Sequence, residues 1–132
     1  VIVLEMIGRF EDERGSQSYP VPLLRLMYPS RGNFVAVAGI LSQREFTKKV
    51  KIGMKGRTSL PVYSINAPRA LPGMDFSDHR NYWEHGFSAV MVTDTAFYRN
   101  PDYHQPGDAM DRLDYQHMAR VVIGVYEALG DL

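Results

Sequence analysis

The sequence predicts an α/β domain in which helices cover a mostly parallel or mixed sheet. Two short apolar runs, residues 1–4 and 89–92, have the composition of strands that are buried on both faces. Two longer segments have the spacing of amphipathic helices, one after Ser42 and one after Asp114. Strands and helices that alternate along a chain are typical of this fold class.

The bulk composition is that of a globular domain. With 132 residues, of which 45% are hydrophobic and 23% charged, the chain is long enough for one domain with a core. Its formal net charge of zero argues against nucleic acid and against an anionic membrane as partners. No apolar run approaches the roughly 20 residues that a membrane span needs. Because there is no cysteine, disulfides and thiolate metal sites are excluded, and the compartment is left open.

The first strand is predicted over residues 1–7 and begins at the first residue. A strand that is buried on both faces needs neighbouring strands, so we expect the chain to be a fragment that continues a larger sheet. The unpaired edge of this strand would favour a homodimer or aggregation. Glu5 closes the strand. From the residues alone, it is either an acid that meets solvent or a metal-binding carboxylate at the rim of a cleft.

The middle of the chain alternates between loops and predicted elements. Residues 9–33 form either a surface loop packed over the core, which we prefer, or one wall of a substrate pocket. A second strand is predicted over residues 34–39, and a third over residues 62–66, near one side of the sheet. Ser42 and Glu45 have the spacing of a capping box. The helix that they open exposes its lysines and buries one face, formed by Phe46, Val50 and Met54.

Two further helices are predicted in the second half of the chain. Ser77 or Asp78 would cap a short helix. The aromatic residues of that helix, Tyr82 and Trp83, are predicted to pack in the core. The last helix would begin after Asp114 as its N-cap. Its predicted buried stripe consists of Met118, Val121, Val122, Val125 and Leu129.

The segment 93–108 is the strongest candidate for a functional loop. It follows a predicted strand, precedes the last helix, and is rich in Asn, Asp, Pro and Gly. In α/β sheets, ligands bind at loops that leave the carboxyl ends of strands. His104 in this loop could carry protons or bind a metal ion, because its unperturbed pKa lies near neutrality. A solvated or capping histidine is the alternative.

Several short motifs resemble the C-terminal part of the family 28 metallopeptidases, which include zinc aminopeptidases and their carboxypeptidase and glutaminyl-cyclase relatives. The matching motifs occur in the right order over nearly the full length. They are Val3-Leu4-Glu5-Met6-Ile7-Gly8, residues 28–34, Ser77-Asp78-His79, Tyr82-Trp83, Gly86-Phe87, residues 91–108, Leu113-Asp114-Tyr115 and Met118-Ala119.

The resemblance implies a three-layer αβα zinc-exopeptidase fold. Residues 1–132 would be the C-terminal part of a single catalytic domain whose N-terminal half is missing. In the resembled enzymes two zinc ions share a bridging carboxylate and a bridging water. Carried over to this sequence, Glu5 would bind one ion and His104 the other. Tyr103 would help to hold the developing oxyanion.

The resemblance also implies roles for neighbouring residues. Asp94, Asp108 and Asp78 would hold the metal ligands in position. Asp94 and Asp108 would do so by orienting His104 or by pairing with Arg99. The substrate pocket would be lined by His79, Phe97 and Arg99.

The activity implied for the intact protein is zinc-dependent hydrolysis of N-terminal residues from peptide substrates. The missing half would supply the remaining ligands and the general base, so the isolated chain should be inactive and should bind zinc weakly or not at all. Two alternatives remain open on the same fold. One is a non-catalytic binding domain, and the other is an acyltransferase that cyclises N-terminal glutamine.

Overall fold

The computed structural model describes residues 1–132 and contains one four-stranded mixed sheet, which confirms the predicted α/β class. The strands are β1 (Ile2–Leu4), β2 (Val35–Ile40), β3 (Val62–Ala67) and β4 (Val90–Thr93). Their order across the sheet is β1-β4-β2-β3. β1 runs parallel to β4 and β2 runs parallel to β3, whereas β2 and β4 are antiparallel. β1 and β3 are therefore the two edge strands.

Four α-helices accompany the sheet: α1 (Leu24–Met27), α2 (Arg44–Met54), α3 (His79–Glu84) and α4 (Tyr115–Gly130). Three single turns of 3₁₀-helix cover Leu41–Gln43, Ala96–Tyr98 and Met110–Arg112. None of the helices combines the length and the apolar character that a bilayer crossing requires.

The two faces of β2 carry different side chains, and this difference separates the two halves of the core. Val35 and Val37 point into a cluster that contains side chains of α2 and α4, among them Val50, Val121 and Val125. On the opposite face, Ala38 packs with Met74, Trp83 and Met91 in a second cluster. Because successive side chains of a strand alternate between faces, one strand serves both clusters. The sheet is thus covered on both sides.

Helix α4 is rotated relative to the stripe that its hydrophobic residues predict. Val121 and Val125 are buried, as predicted, but Val122 and Leu129 are 48% and 56% exposed. The buried face is completed by Gly124 and Ala128. Small residues on this face let α4 approach α2 closely, which a pattern of large apolar residues does not reveal.

Only one of the predicted helix caps is formed by a side chain. Asp114 accepts a hydrogen bond from the backbone N–H of His117 at 2.9 Å, which confirms it as the N-cap of α4. The predicted capping box of Ser42 is wrong, because a 3₁₀ turn leads into α2 and Gln43 stands at its N-cap without a side-chain bond. The Gln43 side chain instead accepts from Ala89 N–H and donates to Phe87 O.

The short helix α3 also departs from prediction. Neither Ser77 nor Asp78 caps it through a side chain. Trp83 is buried as predicted and donates from its ring nitrogen to Ala89 O at 2.8 Å. Tyr82 is 40% exposed, so its predicted place in the core is wrong. A helix of six residues has one buried side, and His79 and Trp83 occupy it.

Hydrogen bonds from two tyrosine hydroxyl groups order the segment of residues 9–33, and one of them attaches it to β3. The Tyr28 hydroxyl donates to Ser64 O of β3 at 2.8 Å, and the Tyr19 hydroxyl donates to Pro29 O at 2.6 Å. The ring of Tyr28 also lies 6.0 Å from the rings of both Tyr19 and Tyr63. The segment is therefore an ordered cover on the sheet.

Replacing Gly53 by alanine should force α2 and α4 apart. A Cβ at this position would lie 2.8 Å from the Ala128 Cα and 2.9 Å from its Cβ. We expect G53A to lower the free energy of unfolding by about 1–3 kcal/mol, as overpacking does. Urea denaturation of the chain measures this change. The control is G130A at the end of α4, where a Cβ meets nothing within 4 Å and stability should rise or stay unchanged. Equal effects of the two substitutions would contradict this account of the packing.

Candidate functional site

An apolar cavity of about 110 Å³ lies on the sheet face opposite α2 and α4. Its floor includes Ala36 and Ala38 of β2, whose small side chains leave the space open. The cover is contributed by the segment of residues 9–33 and by the loops that precede α3 and follow β4. A cavity of about 150 Å³ admits benzene, so this one is of a size to take an apolar side chain.

Glu5 lines this cavity from the carboxyl end of β1. Its backbone N–H continues the ladder by donating to Val92 O at 3.1 Å. The next residue, Met6, has φ +54°, so the chain turns sharply after Glu5 and the strand ends sooner than the predicted residues 1–7. The Glu5 carboxylate accepts a hydrogen bond from the Ser77 hydroxyl at 2.9 Å. Ser77 thus fixes the direction of this carboxylate.

Tyr103 lines the same cavity, and His104 stacks on it. The two ring centroids are 3.9 Å apart. His104 is exposed and has φ +58°, a conformation that histidine adopts more readily than most residues. Burial and the carboxylates of Glu5 and Asp108 raise the pKa of Tyr103, in that order. Its hydroxyl therefore stays protonated at neutral pH and can donate a hydrogen bond.

The loop that carries these two residues is closed by a side-chain bond. Asn100, which is buried, donates from its amide nitrogen to the Asp108 carboxylate at 2.8 Å. Phe97 lines the cavity, and its ring centroid lies 5.6 Å from that of Tyr103. Asp108 thus holds the loop itself in shape and makes no hydrogen bond to His104.

The side chains of this region include types that bind zinc, but few of them. Carboxylate oxygen and imidazole nitrogen are both common zinc ligands, and a catalytic zinc ion takes about three protein ligands. The chain contains no group of three or more His, Cys, Asp or Glu side chains that could hold a metal ion. The roles of Glu5 and His104 as ligands stay predictions.

Asp94 has a different role from the two that were expected. It neither orients His104 nor forms an ion pair with Arg99. It is fully buried after β4 and accepts hydrogen bonds from the backbone N–H groups of Gly8, Arg9 and Ala96 at 3.0, 2.7 and 2.9 Å. Burial raises the pKa of Asp94 to about 6, although its hydrogen bonds and the Arg99 charge act against this shift.

Arg99 is buried and does not line the cavity, so the structure gives no support to its predicted place in the substrate pocket. The buried guanidinium lies between two phenylalanine rings, at 4.7 Å from the Phe34 centroid and 5.5 Å from that of Phe10. It donates to Gln17 Oε1 at 2.9 Å and to the backbone oxygens of Arg9 and Phe34 at 2.9 and 3.0 Å. Burial lowers the pKa of Arg99 to about 10, so the group remains charged and structural.

His79 and Asp78 also lie outside the cavity. His79 is completely buried, shares a hydrogen bond of 2.7 Å with Met74 O, and meets Trp83 edge-on at 4.5 Å between ring centroids. The structure therefore gives no support to its predicted place in the pocket. Burial lowers the pKa of His79, which favours the neutral ring at neutral pH. Asp78 is exposed and makes no contact with Glu5 or His104 that would position them.

The sequence did not reveal the polar partners that organise this region. The sequence indicates Ser77 as a possible helix cap and as part of a family motif, yet its hydroxyl donates to Glu5, which is 72 residues away in the chain. Gln17 belongs to a segment without periodicity, yet it is buried and binds both Arg99 and Thr95. The available signal in the sequence was the Ser77-Asp78-His79 motif, because its resemblance to the family motif pointed to this turn.

Proteins with similar sequences and structures include aminopeptidases. The model of peptidase family M28 matches residues 30–129. Uncharacterized protein YfbL of Escherichia coli K12 is 51% identical over 129 residues, which cover 98% of this chain and 40% of YfbL. The protein named "Probable leucine aminopeptidase" of Arthroderma benhamiae is 31% identical over 93 residues, or 67% of this chain and 24% of that protein.

The fold is shared with a solved structure. The LapA aminopeptidase of Legionella pneumophila superposes with a TM-score of 0.63 at 19% identity, over 100% of this chain and 31% of LapA. The chain thus spans 40% or less of the length of each of these relatives.

Arg99 should tolerate no replacement, not even by lysine. Lysine cannot reproduce the planar fork that bonds Gln17 and two carbonyl groups between the two rings. We expect R99K to lower the free energy of unfolding by about 2–4 kcal/mol because several buried acceptors lose their donors. Chemical denaturation is the measurement. Exposed Arg31 provides the matched control, R31K, with an expected change within about 0.5 kcal/mol. A loss at R99K as small as at R31K would refute the structural role.

Proposed function

The chain belongs to peptidase family M28, and from this premise we propose that it is part of a zinc-dependent aminopeptidase. The observation that carries the proposal is that Glu5 and Tyr103 line one apolar cavity. A carboxylate that could bind metal, a phenol that could meet the reacting carbonyl and an apolar recess then belong to one region, which supports the proposal. His104, stacked on Tyr103, adds an imidazole at the same edge of the sheet.

Glu5 and His104 are the residues of this chain that would hold zinc, one for each ion. When bound, zinc lowers the pKa of a coordinated water and polarises the scissile carbonyl. The remaining ligands and the general base would come from other parts of the longer protein. Ser77 supports this arrangement because its hydrogen bond restricts the Glu5 carboxylate to one direction.

Tyr103 would act on the substrate directly. Its hydroxyl is held protonated by burial and by neighbouring carboxylates, so it is a donor and not an anion at neutral pH. A donor at the cavity wall can stabilise the negative charge that develops on the carbonyl oxygen. The apolar cavity beside it would take the side chain of the first residue of the peptide and thereby orient the scissile bond.

The lining of the cavity favours the peptidase over the cyclase alternative. Most of the residues that line the cavity are hydrophobic, so the side-chain amide of an N-terminal glutamine would lose its hydrogen bonds with water there. A leucine-sized side chain would not incur this cost. The name of the Arthroderma relative, a leucine aminopeptidase, agrees with this preference. The full-length protein should accordingly cleave leucyl-nitroanilide and fail to cyclise glutaminyl peptides.

Replacing Tyr103 by phenylalanine in the full-length protein tests the catalytic role. The substitution keeps the ring and removes the hydroxyl, so we expect kcat on leucyl-nitroanilide to fall by about 10²–10³-fold with little change in KM. The control is Y82F, since the Tyr82 ring is exposed and lies outside the cavity. Unchanged kcat in Y103F would remove Tyr103 from the mechanism, and no hydrolysis by the unaltered protein would favour a non-catalytic binding domain.

Zinc binding by the 132-residue chain alone should be weak. One carboxylate and one imidazole that serve different ions leave each ion short of the roughly three protein ligands of a catalytic site. Titration calorimetry with Zn²⁺ should therefore detect no sub-micromolar site. The full-length protein, titrated in parallel, should bind tightly. A stoichiometric tight site on the short chain would contradict the assignment of one ligand to each ion.

A further inference from the structure

Asp94 is the only buried carboxylate of the chain, and it joins two segments that are far apart in sequence. Its Oδ2 accepts the backbone N–H groups of Gly8 and Arg9, which follow Glu5 in the turn after β1. Its Oδ1 accepts the N–H of Ala96, at the start of the loop that leads to Tyr103. One side chain thus binds both backbone segments that lead to the candidate site.

The two segments that Asp94 joins have unfavourable backbone conformations. Met6 in the first segment has φ +54°, and Thr95 and Ala96 in the second have φ +82° and +48°. None of the three is glycine, so each left-handed conformation costs free energy and persists only where the surroundings hold it. The backbone N–H of Asp94 adds a further link by donating to Met6 O at 2.6 Å.

We propose that Asp94 is a positioning residue whose carboxylate fixes the turn after Glu5 against the loop that presents Tyr103. With this tie in place, both side chains face the same cavity. The proposal rests on the proposed function only insofar as these two side chains serve one substrate. The tie itself is a property of the folded chain.

The charge state of the Asp94 carboxyl determines how many of its oxygens can accept backbone hydrogen bonds. The Arg99 guanidinium is the charged group that favours its ionised form, and Tyr19 in turn faces Arg99. The side chain of Arg9 is engaged elsewhere, with Glu11 at 2.8 Å. Because burial raises the pKa of Asp94 to about 6, the carboxylate is ionised at neutral pH and protonated in mild acid. A protonated carboxyl, or the isosteric amide of asparagine, keeps only one pure acceptor oxygen.

The test is hydrogen exchange, followed by NMR on the ¹⁵N-labelled 132-residue chain. In D94N, the amide of Ala96 or those of Gly8 and Arg9 should exchange about ten- to a hundredfold faster, as expected for the loss of charge-assisted bonds. The amide of Val37 in β2 should keep its rate. The matched control is D111N, which changes an exposed aspartate in the same way. In the unaltered chain, the NMR chemical shifts of these three amides should change with a common midpoint between about pH 4 and pH 8, a range that brackets the titration of the Asp94 carboxyl.

Each result bears on the proposal. Equal acceleration at Val37 would make Asp94 a contributor to global stability and would overturn the positioning role, as would unchanged exchange at all three amides. If D94N does not fold, the pH series of the unaltered chain decides. A common midpoint for the two segments supports the tie, whereas separate midpoints or no shift overturn it. No readout uses peptidase activity, so failure of the tie and failure of the proposed function are distinguishable.

Discussion

Backbone N–H groups at the carboxyl ends of β1 and β4 are removed from water, and the rest of the site depends on how they are satisfied. A buried N–H without an acceptor costs about as much as a lost hydrogen bond. Here the Asp94 carboxylate accepts three of them, from Gly8, Arg9 and Ala96. Gly8 and Arg9 follow Glu5 in the chain, and Ala96 begins the loop that leads to Tyr103. The hydrogen bonds that satisfy these backbone groups therefore also position the two candidate side chains.

The cavity itself follows from the unequal faces of β2. Val35 and Val37 fill the face towards α2 and α4, whereas Ala36 and Ala38 leave space on the other face. Helices cannot close that space, because α3 is short and packs through Trp83 at one end. The segment of residues 9–33 covers it instead, and the hydroxyl groups of Tyr19 and Tyr28 anchor their rings by hydrogen bonds to backbone oxygens. A recess therefore remains where a second helical layer would otherwise be packed.

The regular part of this fold could be predicted from periodicity, but the polar contacts could not. The strands near residues 35–40, 62–67 and 90–93 are visible because each is a local apolar pattern. The rotation of α4 was missed because Gly124 and Ala128 contribute to packing by being small, and hydrophobicity does not record this. The bond between Ser77 and Glu5 spans 72 residues, so no local signal could specify it. The family resemblance predicts Arg99 and His79 as pocket residues. Their partners are carbonyl groups and rings that only the folded chain brings together.

Asp94 and Arg99 hold distant segments of the backbone together, although the burial of their charges is itself unfavourable. Each is desolvated, and the pKa of each is displaced towards its neutral form, to about 6 and about 10. A displacement in that direction means that burial of the charge opposes folding. Neither charge recovers this cost in a direct ion pair, and each bonds mainly to backbone groups of distant segments. The bonds of Asp94 fix the arrangement of the two segments that contain the left-handed residues Met6, Thr95 and Ala96, which would otherwise relax. These bonds lie at the carboxyl edge of the sheet, where the candidate residues Glu5, Tyr103 and His104 are found, whereas the valine-rich core lies on the opposite face.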